Sequence, residues 1–213
     1  MKLFWDERFS QDAYIYGEAP NVFFQEILQE YSPGKLLLPG EGEGRNAVWA
    51  ATVGWDVTAV DYSISGKAKA LKLAGQRKTQ IDYQIQDLAQ LKVPENTFDA
   101  VALIFVHLPV QIRQTVHQEL VKSLRPGGLL IVEAFHKDQL QYNSGGPKNE
   151  EMLYNVGMLQ EDFEGLNPML INETTTILNE GEWHRGEAAV VRFVAKKPVL
   201  SSYPRKEYIV SRS

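Results

Sequence analysis

Five consecutive residues alternate between no side chain and a carboxylate: Gly40-Glu41-Gly42-Glu43-Gly44. The run follows the apolar stretch Lys35-Leu36-Leu37-Leu38 and Pro39, and it precedes a segment rich in Ala and Val. A strand that ends in glycines and opens a helix leaves a backbone cradle, because glycine accepts positive φ and lets a ligand approach the chain closely. Asp61 stands twenty-one residues after Gly40, at the end of a second strand-like run, Trp55 to Val60. From that position a carboxylate accepts hydrogen bonds from both hydroxyls of an adenosine ribose. Each element alone has a plain structural account: the glycines make a tight turn, and Asp61 caps the next helix. Together, in that order and each after a strand, they point to an adenosine-containing ligand.

Charge separates the two candidate ligands of that kind. Read from Gly42, the series Gly42-Glu43-Gly44-Arg45-Asn46-Ala47 satisfies the dinucleotide pattern with alanine in third place, which suits NAD. A pyrophosphate, however, binds at a helix N-terminus because the free amides and the dipole favour anions. Glu41 and Glu43 put two carboxylates into that loop. At about 4 Å and an effective dielectric near 20, each like-charge contact costs on the order of 4 kcal/mol. S-adenosyl-L-methionine has no phosphate and carries a sulfonium and an ammonium, so an acidic loop suits it.

The elements that must position these residues alternate between apolar runs and helical patterns. Strands are expected at 35–38, 55–60, 81–85, 98–105 and 129–135, with helices at 44–53, 63–76 and 109–124 between them. Arg125-Pro126-Gly127-Gly128 reads as a turn that ends the last of these helices. Five strands joined by helices imply a parallel, doubly wound α/β sheet, since parallel neighbours need crossovers. The rhythm then changes. A polar loop (139–150) and one helix (151–163) lead into two strands, 169–178 and 188–195, turning at Asn179-Glu180-Gly181. These form an antiparallel hairpin at the edge of a Rossmann-like sheet with helices on both faces. One domain is expected over 1–197, with 1–30 as a lead-in, and a poorly ordered tail over 198–213.

Composition narrows the function classes. The 213 residues carry a net charge of -5, which gives no general attraction to nucleic acid or anionic membrane. There is no cysteine, hence no disulfide, thiolate nucleophile or cysteine-held metal. No apolar run nears the roughly 20 residues that span a bilayer, and the first residues lack the apolar stretch of a signal peptide. A cytoplasmic protein is expected, as a monomer or weak homodimer, with a small-molecule substrate and no nucleic-acid or membrane partner.

On these motifs the chain resembles the class I S-adenosylmethionine-dependent methyltransferases, and within them the branch of tellurite-resistance and thiopurine-type methyltransferases. The likeness extends over about residues 5 to 197. Its carriers are the loop Gly40 to Gly44, Asp61, Asp87-Leu88 after the third strand, Phe98-Asp99, and Leu124-Arg125-Pro126-Gly127-Gly128 before the fifth. The resemblance implies S-adenosyl-L-methionine as cofactor. It places Gly40, Glu41 and Gly42 around the methionine end, Asp61 on the ribose and Tyr62 beside the adenine, with Asn46 a further cofactor-binding residue. Asp87 would accept from the adenine amino group, Leu88 would pack on the ring, and Phe105 would sit near the transferable methyl. Tyr14 to Asn21 resembles a lead-in that folds over the cofactor, with Tyr16 as a contact. The family's acidic residue two places before the first loop glycine is Leu38 in this chain.

No residue is obligatory as a general base. His107, just after the fourth strand, is the best-placed candidate, against the alternative that it merely hydrogen-bonds at a helix start. His136 and His184 are further candidates to face the pocket, and His117 is expected on a helix face. The Asn/Asp-Pro-Pro-Tyr motif of amide and base N-methylation is absent, and no histidine pair has metal-ligand spacing. The expected activity is methyl transfer to a small thiol, oxygen or metalloid nucleophile. Competing readings are a non-catalytic cofactor-binding module and an NAD-dependent reductase.

Overall fold

The computed structural model describes residues 2–199, so most of the expected tail lies outside the described residues. Among the described residues, seven strands form one sheet: β1 (Lys35–Pro39), β2 (Asp56–Asp61), β3 (Asp82–Ile85), β4 (Phe98–Ile104), β5 (Leu124–Phe135), β6 (Asn167–Asn179) and β7 (Arg185–Lys196). Their order is β3-β2-β1-β4-β5-β7-β6, parallel from β3 through β5. β7 runs antiparallel to both β5 and β6. The chain order reverses between β1 and β4, which opens the crevice at the carboxyl ends of the strands where α/β proteins bind ligands.

The α-helices of the described residues are α1 (Lys2–Phe9), α2 (Val22–Gln29), α3 (Arg45–Thr52), α4 (Ile64–Gln76), α5 (Val110–Ser123) and α6 (Val156–Asp162). Alternation along β4 shows how both faces are covered. Ala100, Ala102 and Ile104 join the core with Phe24 and Leu28 of α2 and Ala47 and Ala50 of α3. Val101 and Leu103 join the opposite core with Val116 and Leu120 of α5 and Leu159 of α6. A strand buried on both faces reads as a continuous apolar run, as β4 does.

The strands and helices expected from the sequence are present within a few residues, and three differences matter. The lead-in is not a bare strap: α1 and α2 lie within it. α2 forms because Asn21 caps it, its side chain accepting from Phe24 N at 2.8 Å. The Arg125–Gly128 segment belongs to β5, whose pairing with β4 starts at Leu124↔Phe98 and shifts register before Leu129↔Ala100. The irregularity accommodates Pro126 and Gly127 inside a strand. Finally, α6 is seven residues long, preceded by a 3-10 turn at Glu150–Met152. Among the described residues no helix is long and apolar enough to cross a membrane.

Candidate functional site

The glycine loop lies at the carboxyl end of β1, with Gly40, Gly42 and Gly44 at φ 67°, 62° and 87°. These are left-handed conformations that only glycine adopts freely. A Cβ on Gly40 would lie 2.9 Å from Val106, and one on Gly42 would lie 3.0 Å from the Phe9 ring. Asp61 organises the loop: Oδ2 accepts from Gly42 N at 3.1 Å and Oδ1 from Ser63 N at 2.9 Å. The carboxylate therefore anchors the loop and caps the approach to α4, while each oxygen keeps further acceptor capacity for a ribose hydroxyl. Burial raises its pKa against the pull of those two amides.

The two loop acids play different parts. Glu41 turns under the loop, and Oε1 accepts from Ala47 N at 2.7 Å in the first turn of α3. Burial pushes this carboxyl up to about 7, against the Ala47 amide and Arg45. Glu43 is buried and paired with Lys69, and it accepts weakly from Tyr16 N at 3.4 Å. The expectation of a doubly acidic turn facing the ligand is thus corrected: the Glu43 charge is neutralised inside the protein. Only Glu41 occupies the anion seat of α3. Because its pKa is raised above the 4.5 of a free carboxyl, the folded state loses stability as pH climbs from about 4.5 to about 7. Glu41→Gln is expected to be stabilising, by an amount that grows through that window by roughly 3 kcal/mol. Thermal unfolding across the pH range measures it, and a pH-independent difference would contradict the assignment.

The other candidates divide between those the fold gathers and those it does not. Phe105 follows β4 at φ 54°, a left-handed conformation costly for an aromatic residue and common where a site stores strain. Its ring packs 4.5 Å from Phe135 and 4.7 Å from His184, which in turn lies 4.5 Å from Tyr16. Tyr16 OH accepts from Arg8 of α1 at 3.1 Å. Asn46 Oδ1 accepts from Asn21 N at 2.9 Å, so it ties the lead-in to α3. Tyr62 is half-buried beside Asp61. Asp87 is exposed at the end of β3 and caps a short 3-10 turn through Ala89 N. Leu88, expected on the adenine, is buried in the core with Leu37, Val60 and Val101.

His107 does not stand free as a base. Its Nδ1 lies 2.7 Å from Met152 O, and its Nε2 lies 3.2 Å from Phe135 N. A carbonyl needs a donor and an amide needs an acceptor, which fixes the neutral Nδ1–H tautomer and engages both nitrogens. Burial pushes its pKa down to about 4, against the Met152 carbonyl. His117 lies on α5 and is fully buried, 2.9 Å from Asp162, which Arg113 also pairs.

A buried polar knot went unread in the sequence. Asn21 Nδ2 donates to Glu133 Oε2 at 2.5 Å and to Glu180 Oε1 at 2.8 Å. Arg45 Nη2 donates to Glu180 Oε2 and Arg192 Nε to Glu133 Oε1, each at 2.7 Å. Burial works against the Glu180 charge, but His184 and Arg45 together outweigh it and hold the carboxyl at about 2. The available signal was Glu133, a single acid within the apolar run Leu129-Leu130-Ile131-Val132-Glu133-Ala134-Phe135. Asn21, Glu133, Glu180 and Arg192 of this knot line a groove of about 270 Å³ between the lead-in and β6, and none of Gly40, Asp61 and Phe105 lines it. Among the described residues, no group of three or more acids and histidines is placed to hold a metal ion.

The comparisons agree with this architecture. Residues 37–132, from β1 into β5, match a family described as a methyltransferase domain. The mixed α/β sheet with its flanking helices is a Rossmann-like methyltransferase fold. The chain superposes on TehB from Haemophilus influenzae with a TM-score of 0.70, at 18% identity, covering 92% of this chain and 66% of that one. It superposes on the N-methyltransferase NodS from Bradyrhizobium japonicum, solved with S-adenosyl-L-homocysteine, with a TM-score of 0.71. That pairing has 14% identity and covers 93% of this chain and 98% of the other. A demethylmenaquinone methyltransferase of Renibacterium salmoninarum is 32% identical over 104 residues, which is 48% of this chain and 42% of that protein. This match spans less than half the relative's length.

The residues present fit a phosphate-free adenosine ligand with a charged amino-acid end. Asp61 offers acceptors near β2 and β3. The α3 amide that would greet a phosphate already serves Glu41. At the start of α3, the buried Arg45 Nη1 has no hydrogen-bond partner.

Proposed function

We propose that the chain is an S-adenosyl-L-methionine-dependent methyltransferase acting on a small-molecule acceptor. One observation carries the reading: Asp61 pins Gly42 at the end of β2 while the Glu41 carboxylate occupies the first turn of α3. An NAD pyrophosphate would have to displace that buried carboxylate, so the same geometry argues against a reductase. When bound, the cofactor supplies a methyl group on a sulfonium with a neutral leaving group.

The chain's own residues then have three tasks. Asp61 accepts the ribose hydroxyls, and Asp87, exposed past β3, accepts from the adenine edge. Phe105, Phe135 and His184 pack into an aromatic wall beside the crevice and exclude water from the reacting atoms. Holding acceptor and methyl in line in such a pocket accounts for roughly 7–11 kcal/mol of the barrier. The acceptor is a nucleophile that needs little help in losing a proton, since His107 has neither nitrogen free. The thiol, oxygen and metalloid classes, the last in line with the resemblance to the tellurite-resistance branch, remain within this proposal.

The same state of His107 favours a second reading, a binding module that holds the cofactor without transferring methyl. Incubation with labelled cofactor and a panel of thiols, phenols and metalloid oxyanions separates the two. Transfer to any acceptor removes the module reading. Calorimetry with S-adenosyl-L-homocysteine and with NAD tests the ligand itself: saturable heat is expected from the first only, and the reverse result overturns the proposal.

A further inference from the structure

The groove between the lead-in and β6 takes no part in the methyl transfer proposed above, since none of Gly40, Asp61 and Phe105 lines it. Its volume of about 270 Å³ suits a small ligand. Three acids line it, Glu18, Glu133 and Glu180, against one base, Arg192. That base is already committed. Its Nε donates to Glu133 Oε1 at 2.7 Å, and its guanidinium lies 4.6 Å from the centre of the Phe23 ring. Arg45, which pairs with Glu180, does not line the groove. The walls therefore carry net negative charge.

Two of these carboxylates are built into the interior, Glu133 at 1% and Glu180 at 8% exposure. Asn21 spends one amide hydrogen on each, at 2.5 Å and 2.8 Å, and so holds an acid of β5 beside an acid of the β6–β7 turn. It has no hydrogen left to give, and its Oδ1 accepts from Phe24 N. Within the knot each carboxylate oxygen accepts one hydrogen bond and keeps room for another. The polar part of the groove thus offers acceptors and calls for donors. The apolar part is a separate observation. Val22 at the start of α2 and Ile177 of β6 both line the groove, yet they are 61% and 72% exposed. One exposed aliphatic side chain is ordinary, whereas two on the walls of one groove mark a place where an apolar group can lie.

We propose that this groove is a second small-molecule site, which takes an amphipathic amine. The ammonium donates to Glu133 and Glu180, and the apolar chain lies along Val22 and Ile177. A primary ammonium brings three donors to the free acceptor positions, and bonds between ionised partners are the strong ones. The groove meets the aromatic wall at Tyr16, which lines it and packs 4.5 Å from His184. A bound amine therefore bears on that wall from outside. The inference does not depend on which ligand fills the crevice.

Titration of the full chain with three probes of equal chain length tests it: hexylammonium, hexanol and hexanoate. Heteronuclear NMR follows the backbone amides of Gly17, Val22, Ile177 and Gly181. Hexylammonium is expected to shift these signals to saturation, about tenfold more tightly than hexanol, which is the difference that charge makes to such hydrogen bonds. Hexanoate is expected to leave them unchanged. Replacing both exposed aliphatic residues (Val22→Ser with Ile177→Ser) should weaken hexylammonium about tenfold. Glu133→Gln should erase its advantage over hexanol, and the comparison of probes on wild type stands even where that variant fails to fold. Equal affinity for hexanol and hexylammonium overturns the proposal. Tightest binding by hexanoate overturns it too and gives the groove to an anion at Arg192. Shifts confined to Gly40 and Gly42, which place the probe in the crevice, or no saturation by any probe, likewise overturn it.

Discussion

Asp61→Ala is expected to weaken S-adenosyl-L-homocysteine binding by about 10²–10⁴-fold. Two charge-assisted bonds to the ribose hydroxyls disappear, each worth roughly 1.5–3 kcal/mol. The variant also releases Gly42 N and Ser63 N, the two amides that the carboxylate holds. The glycine loop loses its anchor, so the remaining contacts form against a less ordered backbone. Loss of stability should be modest by comparison, because Ser63 still caps α4 through Gly66 N at 3.0 Å. Titration of both proteins with the ligand, alongside their melting curves, separates the effects. Wild-type affinity in a folded variant would mean that the ribose lies elsewhere.

Glu180→Ala carries the largest expected stability loss, about 3–5 kcal/mol, because it leaves a buried charge without its partner. Arg45, at 8% side-chain exposure, would face the interior with neither arm paired. The pH dependence follows from the low pKa of about 2 against an ordinary 4.5. A carboxyl held low contributes fully above the unfolded value and loses that contribution as pH falls toward the folded one. The gap between wild type and variant should therefore be wide at neutral pH and narrow progressively below about 4.5. Urea unfolding at several pH values measures it, and coincident midpoints at pH 7 would refute the role assigned to this ion pair.

The two ends of the site were unequally legible in the sequence. The half built by Gly40 to Gly44 and Asp61 was readable because its logic is local: strand, turn, helix, strand, acid, at short spacing. β4 and the C-terminal hairpin were readable for the same reason, through apolar runs and a turn. The half built by Asn21, Arg45, Glu133 and Glu180 was not, since their partners are far apart in the chain and no periodicity links them. Leu88 shows a subtler limit. A leucine after a strand packs equally well on a ligand ring or in a core, and its burial with Leu37 and Val60 could not be read from spacing. His107 was found in the expected place, yet its job depended on Met152 O and Phe135 N, which spacing cannot reveal. Glu43 misled the charge argument because Lys69, its neutralising partner, lies a helix away.

The reach of the polar knot along the chain also bears on the order of folding. Its bonds join residues separated by 112, 135 and 159 positions: Asn21 to Glu133, Arg45 to Glu180, and Asn21 to Glu180. Contacts that distant require large loops to close before any return arrives, and they slow the search for the native state. During synthesis, Arg45 waits with no counterion until the hairpin leaves the ribosome. A nascent chain ending after β5 has its glycine loop in place but a cationic vacancy where Glu180 belongs. The knot is thus the last part of the molecule to mature, and it closes only with the final two strands.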